Sequence, residues 1–127
     1  GSGILAIAAA LLGVSKVHAV DNDKQAIVAT IDNSCRNNIV EGVIKAYLPE
    51  ALPELQADIL AANILAEPLL DLSFKFSELV KPGGKIVLSG LLEDQVVKLI
   101  TCYQKWFDIE EPWIDHEWGL LIGTRRA

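Results

Sequence analysis

Three short polar stretches hold the residues of this chain whose types and positions could do chemistry. They are Gly1-Ser2-Gly3, Asp21-Asn22-Asp23 and Asn63-Ile64-Leu65. The first precedes an apolar helical segment, and the other two follow apolar segments that have the pattern of strands. In a doubly wound sheet the ligand binds beyond the carboxyl ends of the strands, where loops and helix N-termini converge. We therefore predict that the three stretches line one pocket for a nucleotide-like ligand.

The glycine turn runs directly into the apolar residues 4–12, which are predicted to form a buried helix closed by Gly13 as its C-terminal cap. Glycine at positions 1 and 3 lets the backbone approach a ligand closely, and the N–H groups at a helix start can bind its polar atoms. The pattern Gly1-x-Gly3-x-x-Ala6 matches the relaxed dinucleotide fingerprint, in which alanine is accepted at the third place. An ordinary turn before a helix has the same composition, so both interpretations stay open for Gly1 and Gly3.

Asp21 follows the apolar run 17–20 and is placed to bind a ribose. A carboxylate there can accept hydrogen bonds from both ribose hydroxyls, and one such charge-assisted bond contributes about 1.5–3 kcal/mol. The alternative is that Asp21 or Asp23 only caps the helix that begins at Lys24. We interpret Asp21 as the ligand contact and Asp23 as the cap.

The elements that must position these residues alternate between helix and strand. The periodicity predicts helices over residues 4–12, 24–36, 68–79 and 93–106, and strands over 17–20, 43–47, 57–62, 85–90, 107–113 and 117–124. Strand-helix alternation favours right-handed crossovers and a parallel sheet, whereas the last two strands favour an antiparallel hairpin. The run 57–62 is typical of a strand buried on both faces. The predicted class is α/β, with a three-layer, mostly parallel Rossmann-like sheet.

Composition excludes several classes of function. The chain has 127 residues, is 51% hydrophobic and carries a net charge of -6, so we expect one domain, or a large piece of one, that binds neither nucleic acid nor anionic membranes directly. Cys35 and Cys102 are far apart and are expected to be reduced and half-buried, and His18 and His116 lack neighbours at ligand spacing. We predict no metal centre. The apolar start has no secretory pattern and is shorter than the roughly 20 residues of a membrane span, so we expect a cytoplasmic protein.

Four segments resemble class I S-adenosylmethionine-dependent methyltransferases. They are Gly-Ser-Gly-Ile-Leu-Ala at 1–6, Ala-Val-Asp-Asn-Asp-Lys-Gln-Ala-Ile at 19–27, Ala-Asn-Ile-Leu-Ala-Glu-Pro-Leu at 62–69 and Leu-Val-Lys-Pro-Gly-Gly at 79–84. Within that class, the chain is most similar to the family that methylates protein eleven of the large ribosomal subunit. The third segment carries most of this narrower resemblance, which covers essentially the whole chain.

The resemblance implies an activity and a set of site residues. S-adenosylmethionine would be bound by Gly1, Gly3, Asp21 and Asn63, with Asp21 at the ribose, and methyl groups would pass to amino groups of a large-subunit ribosomal protein. Asn63-Ile64-Leu65-Ala66 departs from the Asn-Pro-Pro-Tyr-like motif of related enzymes, so no aromatic clamp over a base is implied. The family's glycine motif follows a central first strand and an N-terminal recognition domain. Residues 1–127 are therefore expected to be a partial methyltransferase domain without that strand.

Asn63 is also the candidate catalytic residue. Methyl transfer is an in-line displacement that needs a neutral, aligned amine, and the side-chain carbonyl of Asn63 could accept a hydrogen bond from that amine. Alternatively, Asn63 only holds the cofactor or caps the helix near Pro68.

Two other functions remain open from the residues alone: a nicotinamide-dependent oxidoreductase domain, and a noncatalytic protein-binding module. Trp106, Trp113 and Trp118 could form a substrate cage but are interpreted as packing residues. Glu93 and Asp94 follow another strand and could border a substrate entry, although acidic residues are common at helix starts.

Overall fold

The computed structural model of the chain describes residues 2–127. Gly1, which is predicted to bind cofactor, lies outside the described residues. The chain forms two compact units, of which the first reaches Glu54 and the second spans Leu55–Ala127. Each unit is built on its own β-sheet.

The first unit is a parallel βαβ arrangement preceded by a helix. Its elements are α1 (Ile4–Leu11), β1 (Val17–Val20), α2 (Lys24–Arg36), β2 (Ile44–Tyr47) and a 3₁₀ helix (Pro49–Ala51). β1 and β2 pair in parallel, with Val17 opposite Ile44 and Val20 opposite Tyr47. The crossover between parallel strands is α2, as strand-helix alternation predicted. The predicted bounds of β1 and α2 are confirmed to the residue.

α1 ends in a Schellman motif centred on Gly13. The N–H of Gly13 donates to the carbonyl of Ala10 and the N–H of Val14 donates to that of Ala9, both at 3.1 Å. Gly13 has a φ of +100°, the left-handed conformation that this motif needs and that glycine adopts without a Cβ penalty. The sequence-based prediction of Gly13 as the helix end is therefore confirmed.

The prediction that the whole apolar segment at 4–12 is buried is wrong. Ala6 and Ile7 are buried, but Ile4 is 71% exposed and Leu12 is 86% exposed. Within its unit α1 packs against β1, β2 and α2. A two-stranded sheet and one helix cover only one face of α1, so the other apolar side chains of the helix remain exposed.

The second unit is a mixed sheet with three helices in the described residues. Its elements are β3 (Ala57–Asn63), α3 (Ala66–Asp71), α4 (Ser73–Leu79), β4 (Val80–Leu92), α5 (Glu93–Tyr103), β5 (Phe107–Ile109), β6 (Trp113–Asp115) and β7 (Trp118–Arg125). The strand order is β3-β4-β7-β5, and β6 also pairs with β7. β3 and β4 are parallel, whereas β7 is antiparallel to β4, β5 and β6. The predicted antiparallel C-terminal hairpin is present as β6 and β7.

The core of the second unit lies between the sheet and the helices α3 and α5. Its fully buried side chains include Leu69, Leu99, Tyr103 and Phe107. The buried hydroxyl of Tyr103 donates to the carbonyl of Leu69 at 2.5 Å, which satisfies both polar groups. Burial raises the pKa of Tyr103, and the neighbouring Cys102 raises it further. This bond ties α5 to α3, the helix that follows β3.

Two predicted elements of the second unit are interrupted. The single helix predicted over 68–79 is two helices, because Leu72 adopts a φ of -91° and a ψ of 2°, outside the α-helical region. The strand predicted over 107–113 is divided into β5 and β6 by the segment that contains Pro112. Proline has no N–H to donate to a strand ladder, so pairing with β7 stops there and resumes at Trp113.

The prediction that residues 57–62 form a strand buried on both faces is also wrong. Ile59 is 60% exposed. Within residues 2–127, β3 pairs with β4 and β1 pairs with β2, so β1 and β3 are outer strands of separate sheets. The central strand that the resemblance implies remains a prediction. In this described part of the chain, the helices are too short or too polar to cross a membrane.

Candidate functional site

The glycine turn leaves the start of α1 without a side-chain cap. Gly3 is the N-cap residue, with φ +82° and ψ 15°, and no side chain in the described residues hydrogen-bonds to this helix end. The first N–H groups of a helix have no intrahelical partners, and the helix dipole makes this end positive. The start of α1 is thus a backbone surface that can bind polar or anionic ligand atoms.

Gly3 also has a structural reason to be glycine. A Cβ added there would lie 2.7 Å from both Cγ2 and Oγ1 of Thr30 on α2. Thr30 is buried, and its hydroxyl donates to the carbonyl of Ala26 at 2.8 Å, so its side chain is held in place. The close approach of α1 to α2 therefore depends on the missing side chain at Gly3.

We expect Gly3→Ala to lower the free energy of unfolding by more than Gly13→Ala. Both glycines have a positive φ, +82° and +100°, where alanine costs about 1–2 kcal/mol. Only at Gly3 does the added Cβ meet another residue, and such overpacking adds about 1–3 kcal/mol. Urea unfolding of the two variants measures the difference, and equal destabilisation would contradict the contact with Thr30.

The carboxylates of Asp21 and Asp23, just after β1, accept hydrogen bonds from different backbone N–H groups. The N–H of Asp21 donates to the carbonyl of Tyr47 at 3.1 Å, and Asp21 Oδ1 accepts from the N–H of Asp23 at 2.9 Å. Asp23 is the N-cap of α2, and its Oδ1 accepts from the N–H of Gln25 at 2.9 Å. The interpretation of Asp23 as the helix cap is confirmed. The role of Asp21 as the ribose contact stays a prediction.

His18, for which the sequence offers no partner, is paired inside the first sheet. Its ring stacks on that of Tyr47, with centroids 5.7 Å apart, and its Nδ1 lies 3.2 Å from the Tyr47 hydroxyl. Burial lowers the pKa of His18, and the charges of Lys16 and Lys45 lower it further. These contacts favour the neutral ring and give His18 a packing role between β1 and β2.

Asn63 is the last residue of β3 and lies opposite Ser89 of β4. Its side chain is exposed. The following helix, α3, has Leu65 as its N-cap residue and no side-chain cap, so the alternative that Asn63 caps this helix is wrong. Gly90 packs directly on Asn63, because a Cβ added at Gly90 would lie 2.5 Å from Asn63 Oδ1.

The predicted site residues belong to different units. Gly3 and Asp21 are in the first unit, where α1 packs against β1, and Asn63 is in the second. The expected single pocket for all three remains a prediction. The contact of Gly90 with Asn63 was not predicted from the sequence, because the pair Ser89-Gly90 indicated only the end of a strand.

Each unit has a surface groove. The groove of the first unit has a volume of about 350 Å³ and is lined by Ser2, Ile4, Ile7, Ala8, Leu11, Asn33 and Asn37. That of the second unit has a volume of about 370 Å³ and is lined by Leu92, Glu93, Asp94 and Glu117. Glu117, which was not singled out from sequence, is brought there by a backbone bond from the N–H of Glu93 to its carbonyl at 2.8 Å. That Glu93 and Asp94 border a substrate entry stays a prediction.

The three tryptophans differ in exposure. Trp106 is half-buried and meets Phe74 edge to face, with centroids 6.1 Å apart, as the packing interpretation predicts. Trp113 is 69% exposed and Trp118 is 53% exposed, so packing does not account for these two.

The cysteines are free thiols. Cys102 is partly buried as expected, but Cys35 is exposed, contrary to its predicted half-burial. Among residues 2–127 there is no group of three or more His, Cys, Asp or Glu side chains that could hold a metal ion.

Curated relatives match this chain along its length. The family model described as "Ribosomal protein L11 methyltransferase (PrmA)" matches residues 1–126. The ribosomal protein L11 methyltransferase of Alkalilimnicola ehrlichii is 49% identical over 127 residues, covering 100% of this chain. That of Shewanella woodyi is 51% identical over 127 residues, covering 99% of this chain. In both comparisons the match spans 43% of the relative's length.

Solved structures match the fold. The ribosomal protein L11 methylase of Lactobacillus delbrueckii subsp. bulgaricus has a TM-score of 0.88 and 31% identity, covering 100% of this chain and 67% of that one. The tRNA (m1A58) methyltransferase TrmI of Aquifex aeolicus has a TM-score of 0.78 and 13% identity, covering 100% and 60%, and shares the fold alone. The predicted Rossmann-like α/β class is confirmed. The chain belongs to the family of ribosomal protein L11 methyltransferases.

Proposed function

We propose that this chain is part of an enzyme that transfers methyl groups from S-adenosylmethionine to amino groups of ribosomal protein L11, on lysine side chains or the N-terminal amine. The observation that carries the proposal is the match of residues 1–126 to the family. In this proposal residues 1–127 are a partial methyltransferase domain. The substrate is a large-subunit ribosomal protein, the reaction takes place in the cytoplasm, and neither nucleic acid nor a membrane is bound directly.

The residues of the first unit suit the cofactor by their chemistry. When bound, S-adenosylmethionine supplies a methyl group on a positively charged sulfur. Asp21 ends β1 with a carboxylate that can accept ribose hydroxyls, and Gly3 opens a helix whose first N–H groups have no side-chain cap. Together with Gly1, these residues are the proposed cofactor-binding set, and each contributes hydrogen bonds of the kind that a nucleoside needs.

Asn63 of the second unit is proposed to bind the cofactor and to orient the amine. A lysine amine has an unperturbed pKa of about 10.4 and must lose a proton before its lone pair can attack. The side-chain carbonyl of Asn63, exposed at the end of β3, accepts a hydrogen bond from the neutral amine and so aims its lone pair. Orientation of the amine and the methyl group by the site as a whole can lower a barrier by about 7–11 kcal/mol, and the hydrogen bond from Asn63 is proposed to contribute part of this effect.

Calorimetric titration of the intact protein with S-adenosylhomocysteine and, separately, with NADH tests the cofactor. We expect binding of S-adenosylhomocysteine and none of NADH. Binding of NADH alone would contradict the proposal in favour of an oxidoreductase, and binding of neither would favour a noncatalytic module. Incorporation of labelled methyl groups into purified L11 then tests the substrate.

A further inference from the structure

We propose that Gly90 is a positioning residue for Asn63: the missing side chain at Gly90 leaves the space that the Asn63 amide occupies. The inference rests on the proposed function of Asn63. Gly90 lies on β4 and is not among the residues proposed to bind the cofactor or the amine. The orientation of the Asn63 amide depends on it.

The contact is close and specific to one side chain. A Cβ added at Gly90 would lie 2.5 Å from Asn63 Oδ1 and 3.6 Å from Asn63 Cγ. Carbon and oxygen atoms that are not bonded do not approach to 2.5 Å, so one of the two residues would have to move. The carbonyl of Ile64, at 3.4 Å, is in ordinary contact and would not be displaced.

The strand pairing explains why Gly90 faces Asn63. Asn63 pairs with Ser89, which places the next residue of β4 beside the end of β3. The pairing of β4 with β7 shifts register between Leu88 and Leu91, which leaves an extra residue on β4, as in a β-bulge. Gly90 has a φ of +78° there. Gly90 therefore lies in the irregular segment of β4, in contact with Asn63.

The backbone at Gly90 is held on both sides, but the amide is not. Leu88 is 1% exposed and Leu91 is 0% exposed, so both are anchored in the core. The side chain of Asn63 is exposed. A methyl group at position 90 would therefore displace the amide of Asn63 and leave the strand in place.

A displaced amide no longer points its carbonyl at the amine. Misplacement of a reacting group by about 1 Å can lower a rate by about 100-fold. We expect Gly90→Ala to lower kcat by about 10- to 100-fold. The matched control is Gly83→Ala on the same strand, since Gly83 has a φ of +83° but nothing within 4 Å of its added Cβ.

The experiment measures kcat and KM for L11 in the intact wild-type protein and in the two glycine variants, together with the 15N–1H spectrum of the Asn63 side-chain amide. We expect shifted amide signals and a lower kcat in Gly90→Ala, and neither change in Gly83→Ala. A Gly90→Ala protein that matches Gly83→Ala in both measurements overturns the inference.

The double variant Asn63→Ala/Gly90→Ala shows whether the effect passes through Asn63. We expect its kcat to equal that of Asn63→Ala, because the truncated side chain no longer meets the new methyl group. If the fold-losses in kcat of the two single variants multiply in the double variant, Gly90 acts through a residue other than Asn63. If Gly90→Ala alone fails to fold, folding of the double variant supports the contact, and its failure overturns it.

These outcomes are separate from a failure of the proposed function. If the wild-type protein neither binds S-adenosylhomocysteine nor methylates L11, the proposed function is wrong, and the amide spectra alone decide whether Gly90 positions Asn63.

Discussion

Replacement of Asn63 with alanine is expected to lower the turnover of L11 methylation by about 100- to 1,000-fold. Loss of a single preorganised hydrogen-bonding group from an active site has an effect of this size. The variant should remain folded, because the Asn63 side chain is exposed and does not cap α3. Single-turnover methylation of L11, with the cofactor at saturating concentration, measures the chemical step directly.

Asn63→Asp is the informative companion variant. Aspartate keeps an acceptor oxygen in nearly the same position but loses the two amide donors. If the carbonyl of Asn63 orients the amine, we expect Asn63→Asp to retain more turnover than Asn63→Ala. Full turnover of Asn63→Ala, with unchanged affinity for S-adenosylhomocysteine, would rule out both the catalytic and the cofactor-binding role.

Replacement of Asp21 with alanine is expected to weaken the binding of S-adenosylhomocysteine by about 10- to 100-fold. Hydrogen bonds to a charged group contribute about 1.5–3 kcal/mol, and each 1.4 kcal/mol corresponds to a tenfold change in affinity. The loss should appear in the dissociation constant, and turnover at saturating cofactor should change much less. Calorimetry of the intact protein measures the affinity.

Asp23→Ala is the matched control, since it removes a carboxylate two residues away. Asp23 caps α2 through the N–H of Gln25, so its loss should lower the free energy of unfolding by about 0.5–2 kcal/mol. We expect its affinity for S-adenosylhomocysteine to stay close to that of the wild type. The reverse pattern, with affinity lost in Asp23→Ala and kept in Asp21→Ala, would exchange the roles of the two residues.

Local sequence patterns predicted the elements of the first unit well. The bounds of β1 and α2 follow from a short apolar run, an acidic cap and a helical period, which are all local signals. Gly13 likewise ends α1 because its left-handed conformation is a local requirement.

The exposure of Ile4 and of Ile59 could not be predicted in the same way. An apolar helix or strand indicates only that it has a face to bury, whereas the partner that covers this face is decided by tertiary structure. The division of one predicted strand into β5 and β6 has a cause that the sequence itself contains, namely Pro112.

The candidate site was predicted in part. Asp23 as a cap is a local pattern and is confirmed, whereas the roles of Asp21 and Asn63 stay predictions that rest on their positions at the ends of strands. The proposed role of Gly90 depends on the register of Asn63 opposite Ser89 and on the bulge beside it. A relation between residues so far apart in the chain cannot be read from the residues around either of them.

The outer position of β3 has a consequence for handling the protein. In residues 2–127 this strand offers one hydrogen-bonding edge to β4, and the side chain of Ile59 is largely exposed. An open edge with apolar side chains is a template for pairing with other chains and promotes aggregation. In a polypeptide limited to residues 2–127, the edge of β3 that ends at Asn63 is therefore where we expect self-association, next to the side chain of the proposed catalytic residue.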